Sequence, residues 1–382
     1  MVCRNKPTRP IRVLHVFKTY FPDTYGGIEQ VVRTLAENSV KQGVECRVLV
    51  LTPGPSSDVC EPKGYRLIRC HQNFNLASTG FSWQFFQSFR THADWADIVH
   101  VHYPWPFVDL VCLLTRARTP MVMTYHSDIV NQPRLEYAYA PLRNWFLRRQ
   151  ARIVATSPNY VHSSPILPKY SEKVSVIPIG IGRADPPPQA LEIEKWQEKL
   201  GKAFFVFIGV PRYYKGLSFL LEALRGRNYP LAVIGDGGDR AALEKMASTF
   251  GLSNTHFLGA LSETDKHNVL AGARCLVLPS HRRSEAFGIV LAEASALGVP
   301  MITCEIGTGT SYVNLHEVTG LVVPPTDTEA LGGALDQVWN DEARVKRWAE
   351  SARTRYETEF GDGIMAARYT ALYQSVMASE LS

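Results

Sequence analysis

Two glutamates stand close together in the segment Ser280–Pro300, which follows a predicted strand. Glu285 lies in the turn after that strand, and Glu293 lies eight residues further on, inside a predicted helix. That helix is apolar on nearly every face, which is typical of a buried helix. An ionised carboxylate in such a helix needs hydrogen-bond donors around it. The two hydroxyl groups of a ribose are donors of the right kind for Glu293.

The spacing of the two acids fits a ligand that carries a diphosphate. At a rise of about 1.5 Å per helical residue, the two carboxylates lie on the order of 10 Å apart, which is about the span of a diphosphate. Glu285 is then placed for a sugar beyond the phosphates. The alternative is that Glu293 is structural, paired with an arginine or the backbone, and that Glu285 is an ordinary acid at a helix start.

Two cations stand in the turn of a strand-turn-helix segment, Phe204–Leu224. Arg212 and Lys215 are suited to neutralise a diphosphate as it departs from a sugar. A basic loop that faces water is the alternative for both.

The amino-terminal part of the chain offers two further candidates after predicted strands. Gly26 and Gly27 stand at the start of a helix, where free N–H groups and the helix dipole favour an anion. A tight turn that needs glycine is the alternative. His126 directly follows the strand Met121–Tyr125, although most lone histidines are structural.

Two glycine-rich loops also follow predicted strands. The first contains Gly235, Asp236 and Gly237, and it does not complete the G-x-G-x-x-G fingerprint of dinucleotide binding. The second is Glu305–Pro325, for which a flexible connector is a serious alternative.

Short β-branched runs alternate with helical patterns along the whole chain, which predicts an α/β fold with parallel sheets. The predicted strands are Ile11–Phe17, Glu45–Leu51, Tyr65–Cys70, Asp97–His102, Met121–Tyr125, Arg152–Thr156, Val174–Ile177, Phe204–Ile208, Leu231–Ile234, His256–Leu258, Cys275–Leu278, Met301–Thr303 and Leu321–Val323. Because ligands bind at the carboxyl ends of such strands, loops that follow strands are the places for a site.

A proline cluster, Pro178–Gln189, interrupts this rhythm and marks the predicted domain boundary. We expect two Rossmann-like domains that face each other across a cleft. The first spans residues 1–180 and takes the acceptor, and the second spans 181–355 and takes the donor. Residues 356–382 are predicted to form a helix that crosses back to the first domain.

The segment S-E-A-F-G-x-x-x-x-E-A closely resembles the E-x7-E signature of the family four glycosyltransferases, which are retaining enzymes of the GT-B fold. The resemblance implies that Glu285 contacts the donor sugar and that Glu293 holds the ribose. It also implies that the backbone amides of Ala286, Phe287 and Gly288 lie near the sugar and the phosphates.

The cationic turn resembles the family pattern G-R-x-x-x-x-K-G with one departure. Gly209, Lys215 and Gly216 match it, but Val210 stands in the usual arginine position, so that Arg212 is the candidate substitute.

The remaining candidates gain roles from the same resemblance. Gly26 and Gly27 match the family's loop at the donor phosphates, and His126 matches a histidine that approaches the transferred sugar. The loop with Gly235, Asp236 and Gly237 matches the one near the base, and Glu305–Pro325 matches the one over the phosphates and the sugar.

The resemblance implies that a hexose moves from a nucleoside diphosphate sugar with retention of configuration. The segments YFPDTYGGIEQ and GTGTSYVN are similar to segments of bacterial polysaccharide mannosyltransferases, which implies GDP-mannose as the donor. The implied acceptor is a glycan or a polyprenyl-linked sugar, in the biosynthesis of a surface polysaccharide such as lipopolysaccharide. No cofactor and no metal ion are expected, because the family needs none and the chain has no Asp-x-Asp motif.

Two other functions remain as alternatives. One is a non-catalytic protein that binds nucleotides or sugars on the same fold, and the other is a nucleotide-sugar epimerase. The non-catalytic protein is disfavoured because the chain keeps the candidate site residues Glu285, Glu293, Lys215 and His126. The epimerase is disfavoured by the context of the E-x7-E signature.

We expect the 382-residue chain to be cytoplasmic, because its seven scattered cysteines suit reduced thiols and form no C-x-x-C pair, and no apolar run is long enough to span a bilayer. The net charge of +5 is mild, and we expect no nucleic-acid partner. The segment Pro141–Arg152 places Arg143, Arg148, Arg149 and Arg152 beside Trp145 and Phe146. Such a helix fits an anionic membrane surface, at the inner face of the cytoplasmic membrane, and an ordinary packed helix is the alternative.

Overall fold

The computed structural model describes residues 9–76, 79–129 and 133–380 of the chain. The chain divides into two compact units. The first unit comprises Met1–Thr156, Ser164–Gly180 and Asp362–Ser382, and the second comprises Ser157–Ser163 and Ile181–Gly361. The carboxyl-terminal segment therefore belongs to the unit that contains the amino terminus.

Each unit is built around one main sheet. The strands of the first unit are β1 Arg12–Val16, β2 Glu45–Thr52, β3 Ser57–Cys60, β4 Arg66–His71, β5 Phe74–Leu76, β6 Thr79–Phe81, β7 Ile98–Tyr103, β8 Met121–Tyr125, β9 Arg152–Ala155 and β10 Val174–Val176. Those of the second are β11 Phe205–Ile208, β12 Leu231–Ile234, β13 Thr255–Gly259, β14 Cys275–Leu278, β15 Met301–Cys304 and β16 Gly320–Val323.

Helices follow most strands, as parallel pairing requires. They are α1 Gly27–Lys41, α2 Trp83–Trp95, α3 Pro106–Thr115, α4 Pro133–Arg149, α5 Pro158–Ser163, α6 Ala190–Leu200, α7 Leu217–Ala223, α8 Arg240–Thr249, α9 Glu263–Gly272, α10 Ile289–Leu297, α11 Thr310–Val313, α12 Thr328–Asn340, α13 Glu342–Arg355 and α14 Asp362–Glu380. Short 3-10 turns cover Leu167–Lys173 and Tyr213–Lys215, and a π-helical turn covers Tyr356–Phe360. In the part of the chain that the structure describes, no helix is both long enough and apolar enough to cross a membrane.

The first unit holds an eight-stranded sheet in the order β10-β9-β8-β7-β1-β2-β4-β3. Every pairing in it is parallel except that of β3 with β4. The strand order changes direction between β1 and β7. This change opens a crevice at the carboxyl ends, where a ligand has access to the loops after both strands.

The second unit holds a six-stranded parallel sheet in the order β13-β12-β11-β14-β15-β16. Its central strands β11, β12 and β14 are buried along their whole length, as strands covered by helices on both faces should be. The strand order changes direction between β11 and β14. The loops after these two strands contain Lys215 and Glu285.

Helix α14 packs on the sheet of the first unit. The hydroxyl of Tyr373 lies 2.7 Å from Nδ1 of His100 on β7, and the hydroxyl of Tyr369 lies 2.7 Å from Oγ1 of Thr124 on β8. At the start of the helix, Asn38 on α1 donates to Asp362 at 3.1 Å. These contacts fix the last helix to β7 and β8, and His126 directly follows β8.

All the strands predicted from the sequence are present, with ends that differ by at most one residue. The predicted α/β fold with parallel sheets is therefore confirmed. The sequence did not predict β3, β5 and β6, which are short and paired antiparallel.

Candidate active site

The central feature of the second unit is an ion pair between the two loops at its crevice. The ammonium of Lys215 lies 2.6 Å from Oε2 of Glu285. Both side chains are largely buried, with 14% and 12% of their surface exposed. Burial lowers the pKa of Lys215, but the charge of Glu285 and its hydrogen bond outweigh this effect, so that the pKa is raised and Lys215 stays charged.

The Lys215 turn depends on glycine at two points. Gly216 has a φ of 73°, and a Cβ there would collide with the carbonyl of Pro279, which precedes the Glu285 loop. Gly209 has a φ of 144°, and a Cβ there would lie 3.2 Å from Cε of Lys215. The glycines that the sequence pattern singled out therefore allow the lysine side chain to reach its position.

The Glu285 loop is held against the loop that follows β15. Thr308 donates its hydroxyl to the carbonyl of Glu285 at 2.7 Å, and the amide of Gly309 donates to the carbonyl of Ala286 at 2.8 Å. Phe287 is 3% exposed. Gly288 then adopts a φ of 77° and begins α10 without a side-chain cap. The segment Ala286–Gly288 therefore runs into the open amino terminus of a buried helix, which is a favourable place for a phosphate.

Glu293 is buried in α10 as predicted, with 8% of its surface exposed. Lys266 on α9 contacts both of its carboxylate oxygens at 3.1 Å, and it also binds Glu263 at 2.7 Å. Burial lowers the pKa of Lys266, and the two glutamates raise it by more. The charged partner that a buried carboxylate needs is therefore present within the protein itself.

Lys266 is a residue that the sequence reasoning missed. It belongs to the run Glu263–Gly272, where an acid three residues before a lysine reads as an ordinary surface pair. The neighbouring His267 has a lowered pKa because of burial and of the Lys266 charge. Together with Glu293, these side chains form a polar cluster at the place where the ribose was expected.

Arg212 does not join the Lys215–Glu285 pair. It is exposed and precedes the 3-10 turn, whereas Lys215, at the end of the turn, points inward. Val210, at the usual arginine position of the family pattern, is 46% exposed.

The loop after β12 approaches the same crevice through its backbone. Gly235 has a φ of 130°, and a Cβ there would collide with the carbonyl of Gly209. The carboxylate of Asp236 accepts from the amide of Gly237 at 2.9 Å and lies 3.9 Å from Arg240. This loop therefore lies beside the one that leads to Lys215.

Gly26, Gly27 and His126 belong to the first unit. Gly26 is the amino-terminal cap of α1, and both glycines are exposed. Glu29 lies at this helix end, where it accepts hydrogen bonds from Thr19 and Thr24, each at 2.7 Å. The carboxylate of Glu29 lies so close to this helix start that a Cβ on Gly26 would collide with it, so that a negative charge already stands where an anion was predicted.

His126 follows β8 and is 5% exposed. Its amide donates to the carbonyl of Tyr103, and its Nε2 lies 3.0 Å from Nδ1 of His102. Burial lowers the pKa of His126 to about 3. The imidazole is therefore neutral at physiological pH.

The basic helix predicted for a membrane surface is only partly exposed. Phe146 is fully buried, and Arg143 is 9% exposed. The prediction is wrong for these two residues, because they face the protein rather than its surroundings. Arg148 and Arg149 are exposed, as predicted.

Two groups of side chains in the described ranges have ligand atoms close enough to share a metal ion. One is His15, His100 and His102, and the other is Glu263, His267 and Glu293. In the first group, only Nε2 of His15 has no hydrogen-bond partner among the described residues. In the second, Lys266 supplies the positive charge.

Comparison with known proteins matches both halves of the chain to glycosyltransferase families. Residues 25–183 match "Glycosyltransferase Family 4", and residues 189–355 match "Glycosyl transferases group 1". The chain is 46% identical over 351 residues to the D-rhamnosyltransferase WbpZ of Pseudomonas aeruginosa, with 92% of each chain covered. It is 42% identical over 370 residues to the O-antigen chain mannosyltransferase C of Escherichia coli, with 97% of this chain and 100% of the other covered.

Solved structures show the same fold. The structure of Anabaena Alr3699/HepE in complex with UDP and glucose aligns with a TM-score of 0.77 and 17% identity, and covers 96% of this chain and 100% of the other. The two Rossmann-like units are thus those of a GT-B protein. With nearly its whole length matched to curated transferases, the chain belongs to the family four glycosyltransferases.

Proposed function

We propose that the protein transfers a hexose from a nucleoside diphosphate sugar with retention of configuration. The observation that carries this proposal is the buried Lys215–Glu285 pair at the crevice of the second unit, with the Glu293 cluster on the helix that follows. A cation that is fixed and desolvated is suited to the charge that develops on a departing diphosphate. Glu285, bonded to that cation, is the residue that we propose to contact the sugar.

The proposed reaction forms a bond between the acceptor oxygen and the anomeric carbon of the sugar. The bond between that carbon and the phosphate oxygen breaks, and the departing phosphate takes the proton of the acceptor hydroxyl. Lys215 then shares its hydrogen bonds between Glu285 and the diphosphate. The reaction needs no protein base, which agrees with the low pKa of His126.

The two sugars named for the relatives support a donor of the manno configuration. One relative is a mannosyltransferase and the other is a D-rhamnosyltransferase. D-rhamnose is 6-deoxy-D-mannose, so that the two sugars differ only at carbon 6. GDP-mannose is therefore the donor that we propose. The acceptor is then a glycan or a polyprenyl-linked sugar in the synthesis of a surface polysaccharide.

Glu293→Gln should weaken binding of the nucleotide sugar at least several-fold. A hydrogen bond between a charged group and its partner contributes typically about 1.5–3 kcal/mol, and the amide cannot reproduce it. The measurement is a calorimetric titration of the variant and the wild type with GDP-mannose. Lys266 loses a partner in this variant. The melting temperature of the variant must therefore be measured as well, to separate weaker binding from a less stable fold.

A matched control is Glu263→Gln, which removes the other acid bound to Lys266 and leaves Glu293 in place. Its affinity for GDP-mannose should stay close to that of the wild type. Normal affinity in Glu293→Gln would show that the ribose assignment is wrong.

Contact with an anionic membrane is a further part of the proposal. The exposed residues that support it differ in part from those that the sequence predicted. Arg148 and Arg149 at the end of α4 are exposed, as are Arg116 and Arg118 after α3. Arg116, Arg118 and Arg149 line a cavity of about 350 Å³ together with Trp145 and Leu113. We call these residues, with the exposed Leu114, the arginine surface. Cations around apolar side chains are suited to the boundary of an anionic lipid layer.

The double variant Arg148→Glu, Arg149→Glu should lose co-sedimentation with anionic vesicles at low salt. Each cation near such a surface contributes about 1 kcal/mol, and the attraction weakens as salt screens it. Lys202→Glu, Arg347→Glu carries the same charge change on exposed residues of the second unit and should sediment like the wild type. Equal sedimentation with neutral vesicles would contradict the proposal.

A further inference from the structure

Three buried histidines of the first unit form a continuous row of imidazole rings. Nδ1 of His15 lies 3.3 Å from Nε2 of His102, and Nδ1 of His102 lies 3.0 Å from Nε2 of His126. Neighbouring rings in the row are stacked, with interplanar angles of 28° and 20°. We call His15, His102 and His126 the histidine row.

The row crosses the sheet where its strand order changes direction. His15 lies on β1, His102 on β7, and His126 directly follows β8, and these strands are neighbours in the sheet. His15 and His102 are completely buried, whereas His126 keeps 5% of its surface exposed. The row therefore leads from the interior to the carboxyl edge of the sheet, which is the edge where parallel α/β sheets bind their ligands.

All three rings are neutral, so each carries one proton. Burial lowers the pKa of His15 and His126 to about 3 and that of His102 well below its usual value. A neutral imidazole has one donor nitrogen and one acceptor nitrogen. The direction of one hydrogen bond in the row therefore fixes the direction of the other.

Only two proton arrangements keep both hydrogen bonds. In the first, His15 donates to His102 and His102 donates to His126, so that Nδ1 of His126 carries a proton at the open end. In the second, both bonds are reversed, so that Nδ1 of His126 is an acceptor and Nε2 of His15 carries a proton in the interior.

The inner end of the row decides between these arrangements. Nε2 of His15 is buried and has no hydrogen-bond partner among the described residues. A buried N–H without a partner is rarer in proteins than a buried acceptor without one. The first arrangement leaves an acceptor at this point, whereas the second leaves an N–H.

We infer that His15 and His102 are positioning residues that fix His126 as a hydrogen-bond donor through Nδ1. Nδ1 is the ring nitrogen of His126 that has no hydrogen-bond partner in the described parts of the chain. It therefore presents an N–H to an oxygen of the bound ligand, such as a sugar hydroxyl or a phosphate. In this role His126 donates a hydrogen bond to the ligand and takes no proton from it.

His100 provides an internal comparison. Its ring stacks on His102 with a centroid distance of 4.4 Å. Both of its nitrogens are bonded elsewhere, to Tyr373 and Thr124, each at 2.7 Å. It therefore touches the row without belonging to it.

The test is the side-chain nitrogen NMR spectrum of the wild-type protein labelled with ¹⁵N-histidine, recorded without ligand at neutral pH. We expect His126 to show a protonated Nδ1 and an unprotonated Nε2, with its signals identified by their loss in His126→Phe. A proton on Nε2, a proton on both nitrogens or an averaged mixture would overturn the inference. The inference rests on the proposed function only for the identity of the ligand, and the spectrum is independent of transfer.

A double-mutant cycle tests the positioning role on turnover. His102→Phe should lower turnover about three- to tenfold, as loss of one neutral hydrogen bond does, and it should mix the tautomers of His126. His102→Phe should cost nothing further in the His126→Phe background. The fold-loss in turnover caused by His100→Phe should instead be the same with and without His126→Phe, so that the double variant shows the product of the two losses. If the fold-losses in turnover of His102→Phe and His126→Phe multiplied as well, the role of His102 would be only structural.

Discussion

Replacing Lys215 with alanine should lower the rate of sugar transfer by about 10²- to 10³-fold, the usual effect of removing one preorganised donor from a developing charge. The lysine is charged, buried and held at 2.6 Å from Glu285. Its ammonium is therefore in place before the diphosphate departs. The measurement is turnover of GDP-mannose by the wild type and the variant at saturating donor.

Arg212→Ala is the matched control, because Arg212 belongs to the same loop but is exposed. It should keep turnover close to that of the wild type. Lys215→Ala also leaves Glu285 without its cation, so the melting temperature of each variant is needed. A stable Lys215→Ala with normal turnover would show that the phosphate assignment is wrong, and a large loss in Arg212→Ala would place that arginine in the site.

As the pH falls, the free energy of unfolding of the first unit should decrease much more steeply than titration of its carboxylates alone would produce. His15, His100, His102 and His126 are buried, and burial lowers the pKa of each. In the unfolded chain they take up protons below about pH 6.5. The unfolded state therefore binds more protons, and stability falls as the pH falls.

Buried Asp109 opposes this trend, because burial raises the pKa of its carboxyl group and the folded state keeps that proton. Four imidazoles that take up a proton on unfolding and one carboxyl that releases one leave a net of about three protons, or about 4 kcal/mol per pH unit between about pH 5.5 and 4. Half-buried His92, whose pKa is also lowered by burial, acts in the same direction. The measurement is the free energy of unfolding from urea titrations over this pH range.

A variant that lacks one of these imidazoles, such as His15→Asn, should show a slope smaller by about 1.4 kcal/mol per pH unit. His162→Gln removes an exposed histidine instead and should keep the wild-type slope. A wild-type slope in His15→Asn as well would show that His15 is not neutral in the fold.

The strands were predictable because each is a short apolar run bounded by turn residues, and parallel strands buried on both faces need such runs. The strand β3, Ser57–Cys60, was not predictable in this way, since it is an edge strand with mostly exposed side chains. Its pairing with β4 is a tertiary contact that leaves no periodic pattern in so short a segment.

The sequence located the Lys215 and Glu285 loops because both follow strands and contain the family's glycines. It did not reveal that the two side chains bind each other, since the pairing depends on the neighbouring positions of β11 and β14 in the sheet. Lys266 was missed for a similar reason, because α9 meets α10 only in the folded unit. The roles assigned to these residues in the reaction remain predictions.

Long-range packing also explains the wrong part of the membrane prediction. The spacing of basic and aromatic residues in Pro141–Arg152 is compatible with either a surface helix or a packed one. The structure buries Phe146 and Arg143 and leaves Arg148 and Arg149 exposed. Arg116 and Arg118 complete the arginine surface from another helix end, which no local pattern could indicate.

The most direct test of the central claim is to incubate the wild-type protein with GDP-mannose and a mannose-terminated oligosaccharide and to determine the product by NMR. We predict that GDP is released in step with formation of an α-linked mannoside, the configuration of the donor, and that Lys215→Ala forms little of either. A β-linked product would contradict retention. A released free sugar or an epimerised donor, with no glycan product, would contradict the proposed transfer itself.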